Sequence, residues 1–235
     1  MNFLTKRFKK KPSTTGFTLI ELLAVVAIIG LAFGIAVAAL PGMTRGSAMR
    51  GSTAELRSTI SLARQWAVGH REVTYVVFAE GGSGIYSGSP KKNLAGERAY
   101  RGYAVVGAKT GFVSDWKFLK TGVYFLPDSG KEKGTTHSKN GKNPYQGSLT
   151  VEIPFPEPGD SDKISFPAIG FKPDSGLVSG AREMEVYISE GYITSAVGRG
   201  DIVENDLQFK QDATITGLEV NGLTGIQRVR VYGEE

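Results

Sequence analysis

The chain has 235 residues, 28 Lys and Arg against 23 Asp and Glu, a net charge of +5 and a pI near 9.3, and it has no cysteine. Without cysteine, structural disulfides, thiolate metal sites and cysteine nucleophiles are excluded, and a globular part must be held by its core alone. The basic pI argues little for a nucleic-acid partner: five of the cationic residues (Lys6, Arg7, Lys9, Lys10, Lys11) fall before residue 17, and the remainder carries 23 charges of each sign.

The basic block at residues 1–16 leads straight into an apolar run. The 24 residues from Phe17 to Leu40 carry one charge, Glu21. As a helix this run spans roughly 36 Å, against a hydrocarbon core of about 30 Å. The spacing therefore predicts a transmembrane helix over 17–40. With the cationic side kept cytoplasmic, the rest of the chain is expected outside. A carboxylate within such a segment costs about 2.5–3.5 kcal/mol at the centre and less near an end, so Glu21 is a functional candidate. The small residue Gly16 precedes the apolar run rather than following it, unlike an ordinary secretory signal. On residues alone, an uncleaved signal anchor is an equal reading.

Gly30 and Gly34 form a small-xxx-small pair that permits close helix packing. Pro41 and Gly42 predict a kink or break. A second helical half is expected over 41–70, with its regular part from Ser52 to His70. There Leu56, Ile60, Ala63 and Ala67 recur on one face, Trp66 lies beside them, and Arg57, Arg64 and Gln65 point elsewhere. Ser52 and Glu55 have capping-box spacing, which predicts a fresh helix start.

Residues 71–235 read as a β-rich globular domain. Strands are expected at Val73–Phe78, Ala104–Val106, Val123–Leu126, Leu149–Ile153, Met184–Ile188, Ile215–Val220 and Ile226–Tyr232. The last of these alternates as a strand with one wet face. Asp128–Gly147, polar and rich in Lys and Gly, reads as a mobile surface loop. The fold class expected is α+β: a long N-terminal helix packed on an antiparallel β domain.

Enzymatic chemistry finds no constellation. The two histidines, His70 and His137, are far apart in sequence and without clustered ligands, so no zinc site is expected. Residues 130–136 have the wrong order for a phosphate loop, and no nucleophile elbow occurs. Asp160 with Asp162, and Asp201 with Glu204 and Asp206, lack full calcium-loop spacing and read as solvated turns. Arg199-Gly200-Asp201 is too short a string to carry an adhesion function. Trp116, Tyr124, Tyr145 and Phe155 read as core, with a binding groove as the alternative. No catalytic residue, metal or cofactor is expected.

The string GFTLIELLAVVAIIG, from Gly16 to Gly30, resembles the leader junction of type IV pilins and of the pseudopilins of type II secretion. The resemblance implies cleavage between Gly16 and Phe17 by a prepilin peptidase, N-methylation of Phe17, and an assembly role for Glu21. It also implies that the helices pack into a filament core. Glu21 would then pair with the Phe17 amine of a neighbouring subunit; an intrachain pair one turn away and simple tolerance at the positive end of the helix are the alternatives. The segments AELRSTISLARQWA (54–67), ISFPAIGFKPDSG (164–176) and LEVNGLTGIQRVRVY (218–232) are similar to the second helical half and closing strands of GspH-type minor pseudopilins.

The implied function is a minor pseudopilin of a type II secretion-like system, with a type IV pilus or DNA-uptake pilin as alternative. Lysines 131, 133, 139 and 142 keep the DNA option open. From another class, a signal-anchored periplasmic ligand-binding domain or enzyme stands as rival. Expected partners are other pilins or pseudopilins, the prepilin peptidase, an inner-membrane assembly platform and membrane lipid. The expected location is the inner membrane with the C-terminal domain in the periplasm, then the filament.

Overall fold

The computed structural model describes residues 18–81, 98–127, 143–146, 149–154, 163–194, 207–209 and 213–232, without the side chains of 34–45. The chain divides into two compact units, Met1–Thr44 and Arg45–Glu235. One helix, α1, is assigned from Leu19 to His70. Of the kink or break expected at Pro41 there is no break, and the restart expected at Ser52 is absent. Pro41 removes one helical hydrogen bond without ending the ladder. Ser52 is fully buried inside the helix, and its hydroxyl accepts the Lys120 N–H at 2.9 Å, while Glu55 pairs with Lys120 Nζ at 3.4 Å. Both residues of the expected capping box thus hold Lys120, Ser52 by a hydrogen bond and Glu55 by an ion pair.

In the first unit, the large apolar side chains from Leu19 to Phe33 are exposed. Among the described residues no helix is long and apolar enough to cross a membrane. The described side chains of the apolar run stop at Phe33, and the rest of the expected span lies beyond them.

Among the described residues, the second unit is built from the C-terminal part of α1 and eleven strands: β1 (Thr74–Phe78), β2 (Gly102–Gly107), β3 (Gly111–Phe112), β4 (Lys117–Phe118), β5 (Val123–Phe125), β6 (Thr150–Pro154), β7 (Lys163–Phe171), β8 (Glu183–Ile193), β9 (Leu207–Phe209), β10 (Ile215–Asn221) and β11 (Gln227–Tyr232). Among the described residues every pairing is antiparallel. One sheet has the order β3-β2-β1-β7-β6, with β4 also on β2; the other runs β11-β10-β8-β5, with β9 also on β8. All seven expected strands form, within two residues at each start. The exception in length is β8, which continues five residues past the expected Ile188 and so pairs with both β5 and β9.

The helix packs on both sheets rather than one. Leu56, Ile60, Ala63 and Ala67 share a cluster with Val76, Phe78 and Ile169 of the first sheet and with Phe125, Val186 and Leu218 of the second. The four helix residues are at most 1% exposed, so the stripe read from spacing is the core face. Burying a Leu or Ile side chain this fully contributes about 2–3 kcal/mol. Ile60→Ala is therefore expected to lower the denaturation free energy by about 2–5 kcal/mol, read from the urea midpoint of the full chain in detergent.

Candidate assembly site at the start of the helix

Gly16 and Phe17, the expected cleavage and methylation pair, lie outside the described residues. Glu21 does not. Thr18 is the last non-helical residue, and Glu21 is the third helical one. The Thr18 N–H donates to Glu21 Oε2 at 3.0 Å, and the Thr18 hydroxyl donates to the same oxygen at 2.9 Å. In return, the Glu21 N–H donates to Thr18 Oγ1 at 3.3 Å. The Leu22 N–H closes the first turn on the Thr18 carbonyl at 3.2 Å.

This is a capping box. It supplies acceptors for amides that a helix start leaves without intrahelical partners, and the carboxylate sits at the positive end of the peptide dipoles. The Thr-x-x-Glu pattern before an apolar run was the available signal. Sequence reasoning assigned that spacing to Ser52 and Glu55 instead, where burial diverts it. Glu21 thus caps its own helix through Thr18, a pairing that was not foreseen, although its placement at the positive helix end was. Both Thr18 bonds fall on Oε2, and among the described residues Oε1 has no partner.

His70 stacks on Trp66 with ring centroids 3.7 Å apart and is exposed at the end of α1. His137, residues 130–136, the acidic turns at 160–162 and 201–206, Arg199-Gly200-Asp201 and the four loop lysines lie outside the described residues. Among the described residues no three His, Asp or Glu side chains come together as a metal site. Trp116, Tyr124 and Tyr145 pack into clusters as the core reading expects, Trp116 edge-on to Phe166 at 5.4 Å, and Phe155 lies outside the description. The end of the expected loop departs from expectation. Asn143 is buried and donates to the Leu126 carbonyl at 2.8 Å, because it and Tyr145 close the core beside β5.

Two further polar sites were not foreseen. Glu72, just past α1, is 4% exposed. Its carboxylate accepts from the Thr110 hydroxyl at 2.5 Å, Trp66 Nε1 at 2.9 Å, the Lys109 N–H at 2.8 Å and the Thr110 N–H at 3.2 Å. It fastens the helix end to the β2–β3 turn. Chiefly through the Thr110 hydroxyl, these bonds hold its pKa at about 2, with burial opposing. A carboxyl depressed from 4.5 adds stability that is complete above pH 4.5 and disappears as pH falls towards 2. Its place near the molecular surface reduces the contribution to on the order of 1–3 kcal/mol. Glu72→Gln is expected to be less stable than the parent by that amount at pH 7, the gap narrowing below pH 4.5 and closing as pH falls to about 2 in paired urea titrations.

On the outer face of the second sheet, Glu185 accepts hydrogen bonds from the Tyr187 hydroxyl and from Tyr232 Oη, the latter at 2.9 Å. Arg230 Nε lies 2.7 Å from Glu219 Oε2. Gly217 makes room for both rings: a Cβ there would lie 2.8 Å from Tyr232 and 3.2 Å from Tyr187. Burial raises the Glu219 carboxyl pKa against the opposing pull of Arg230, and burial followed by Glu185 raises Tyr232 to about 12. The network ties β8, β10 and β11 together and reads as sheet structure.

Residues 12–37 match the prokaryotic N-terminal methylation motif. The match spans the end of the basic block, Gly16 and Phe17, and the capped turn, and covers about a tenth of the sequence. In structure the chain is similar to the type IV minor pilin FimU of Pseudomonas aeruginosa. That likeness has 11% identity over 83% of this chain and 93% of that one, with a TM-score of 0.33. No curated protein matches the chain.

Proposed function

We propose that this protein is a non-enzymatic, pilin-like filament subunit, and specifically a minor pseudopilin of a type II secretion-like system. Prepilin peptidase would cleave it between Gly16 and Phe17, Phe17 would be methylated, and the exposed Leu19–Phe33 face would pass from inner-membrane lipid to neighbouring helices. The methylation motif over residues 12–37 carries the reading. The geometry of Glu21 supports it. With Oε2 held by Thr18, Oε1 is left to meet a neighbour's N-terminal amine, and an unmatched charge in that apolar setting would cost several kcal/mol. A heterologous contact of this kind grows without closing.

Intact mass and N-terminal analysis of protein from its native membrane test the processing. The expected chain begins at methylated Phe17; a chain retaining Met1 refutes it. Assembly is tested with two variants. Glu21→Gln keeps the cap acceptor and loses the charge, whereas Glu21→Val loses both. Both are expected to fall out of sheared filaments. Normal incorporation of Glu21→Gln would reduce Glu21 to a helix cap.

A further inference from the structure

Strand β11 lies at the rim of the second sheet, paired among the described residues with β10 alone. A strand of this kind presents a row of open backbone donors and acceptors. Gln227, Val229 and Val231 stand opposite Val220, Leu218 and Thr216, so their side extends the core rows. Gln227 is buried, its amide 3.1 Å from Ser61 Oγ of α1. Beyond it the helix no longer covers the strand, and Val229 and Val231 are 40% and 58% exposed. The single wet face expected of this strand is therefore two.

The other face carries Arg228, opposite Glu219 in register, and Arg230, ion-paired to Glu219. A strand added outside β11 would set its own residues about 4.5–5.5 Å from these guanidinium-bearing positions. A second copy of β11 is disfavoured there. Any antiparallel self-pairing that keeps valine beside valine and overlaps most of the strand sets arginine against arginine. Acidic residues on an added strand would meet Arg228 and Arg230 with opposite charge, and basic ones would meet them with like charge.

We propose that β11 is a capture edge for an extended segment of a partner protein whose residues alternate apolar and acidic, joined by β-strand addition. Its valines cover Val229 and Val231, and its carboxylates face Arg228 and Arg230. The proposal is independent of which filament the chain joins.

The test uses the full chain in detergent micelles and three fluorescent heptapeptides read by anisotropy: valine alternating with glutamate, valine alternating with lysine, and the glutamate peptide N-methylated at alternate amides. The glutamate peptide is expected to bind about tenfold more tightly than the lysine peptide. N-methylation is expected to abolish binding, and Arg228→Glu to reduce or reverse the preference without changing the circular dichroism. Equal binding of the two charge types, or undiminished binding of the N-methylated peptide, would overturn the proposal. So would a dimer in sedimentation that the glutamate peptide fails to dissociate.

Discussion

Replacing Gly222 with alanine is expected to destabilise the globular unit by about 3 kcal/mol or more. The added methyl would point directly onto the Ala181 carbonyl oxygen and would lie 2.7 Å from that of Arg182. Both obstacles are backbone, so no rotamer change relieves them. Nor can the turn slide away. The Gly222 N–H donates to the Arg182 carbonyl at 2.6 Å, and its own carbonyl accepts the Leu177 N–H at 2.8 Å. The neighbouring Asn221 side chain accepts the Leu223 and Thr224 amides at 3.1 and 3.0 Å, an Asx arrangement that fixes the turn between β10 and β11. Urea denaturation of the full chain in detergent reads the loss. A shift below about 1 kcal/mol would mean the 181–182 segment gives way easily, against this account.

Phe125→Ala is expected to have a comparable effect by the opposite route, a void instead of a collision. The Phe125 ring is fully buried on β5 of the second sheet. It meets Phe78 and Tyr103 of the first sheet edge to face, at 5.3 and 5.9 Å. The ring therefore joins the two sheets. Truncation to alanine is expected to cost about 3–5 kcal/mol, partly lost transfer energy and partly the cavity that the surrounding aromatic rings cannot close. For a unit of this size that lowers the melting temperature by roughly 10 °C. Phe125→Leu is expected to recover most of the loss; an alanine variant melting within about 2 °C of the parent would show that the cavity collapses.

The sequence was legible where a single periodicity decided the outcome. Leu56, Ile60, Ala63 and Ala67 recur at helical spacing, and nothing competes with the apolar face they make. The seven expected strands were readable as short apolar or alternating runs between turn residues. β3 and β4, two residues each, and the three-residue β9 are too short to show alternation. They exist because a neighbouring strand offers a free edge.

Long-range polar partners were the least legible. Glu72 is an ordinary acidic residue after a helix until the chain returns at Thr110. Ser52 and Glu55 carried a capping pattern that burial against Lys120 overrode, whereas Thr18 and Glu21 carried the same pattern at an end where the helix does begin. The residues cannot distinguish the two cases without knowing where tertiary contacts fall. For the candidate site, the motif at residues 12–37 was readable from the residues, and the division of labour between the two oxygens of Glu21 was not.

The stripe Leu56–Ala67 has a mechanical corollary. Those residues belong to the same cluster as both sheets, so there is no seam along which the helix can be drawn off while the strands stay folded. Traction applied along residues 45–70 is borne by the whole β assembly at once, in shear across Leu56 and Ile60. With no cysteine to act as a stop, yielding should come as one abrupt rupture in a force–extension trace.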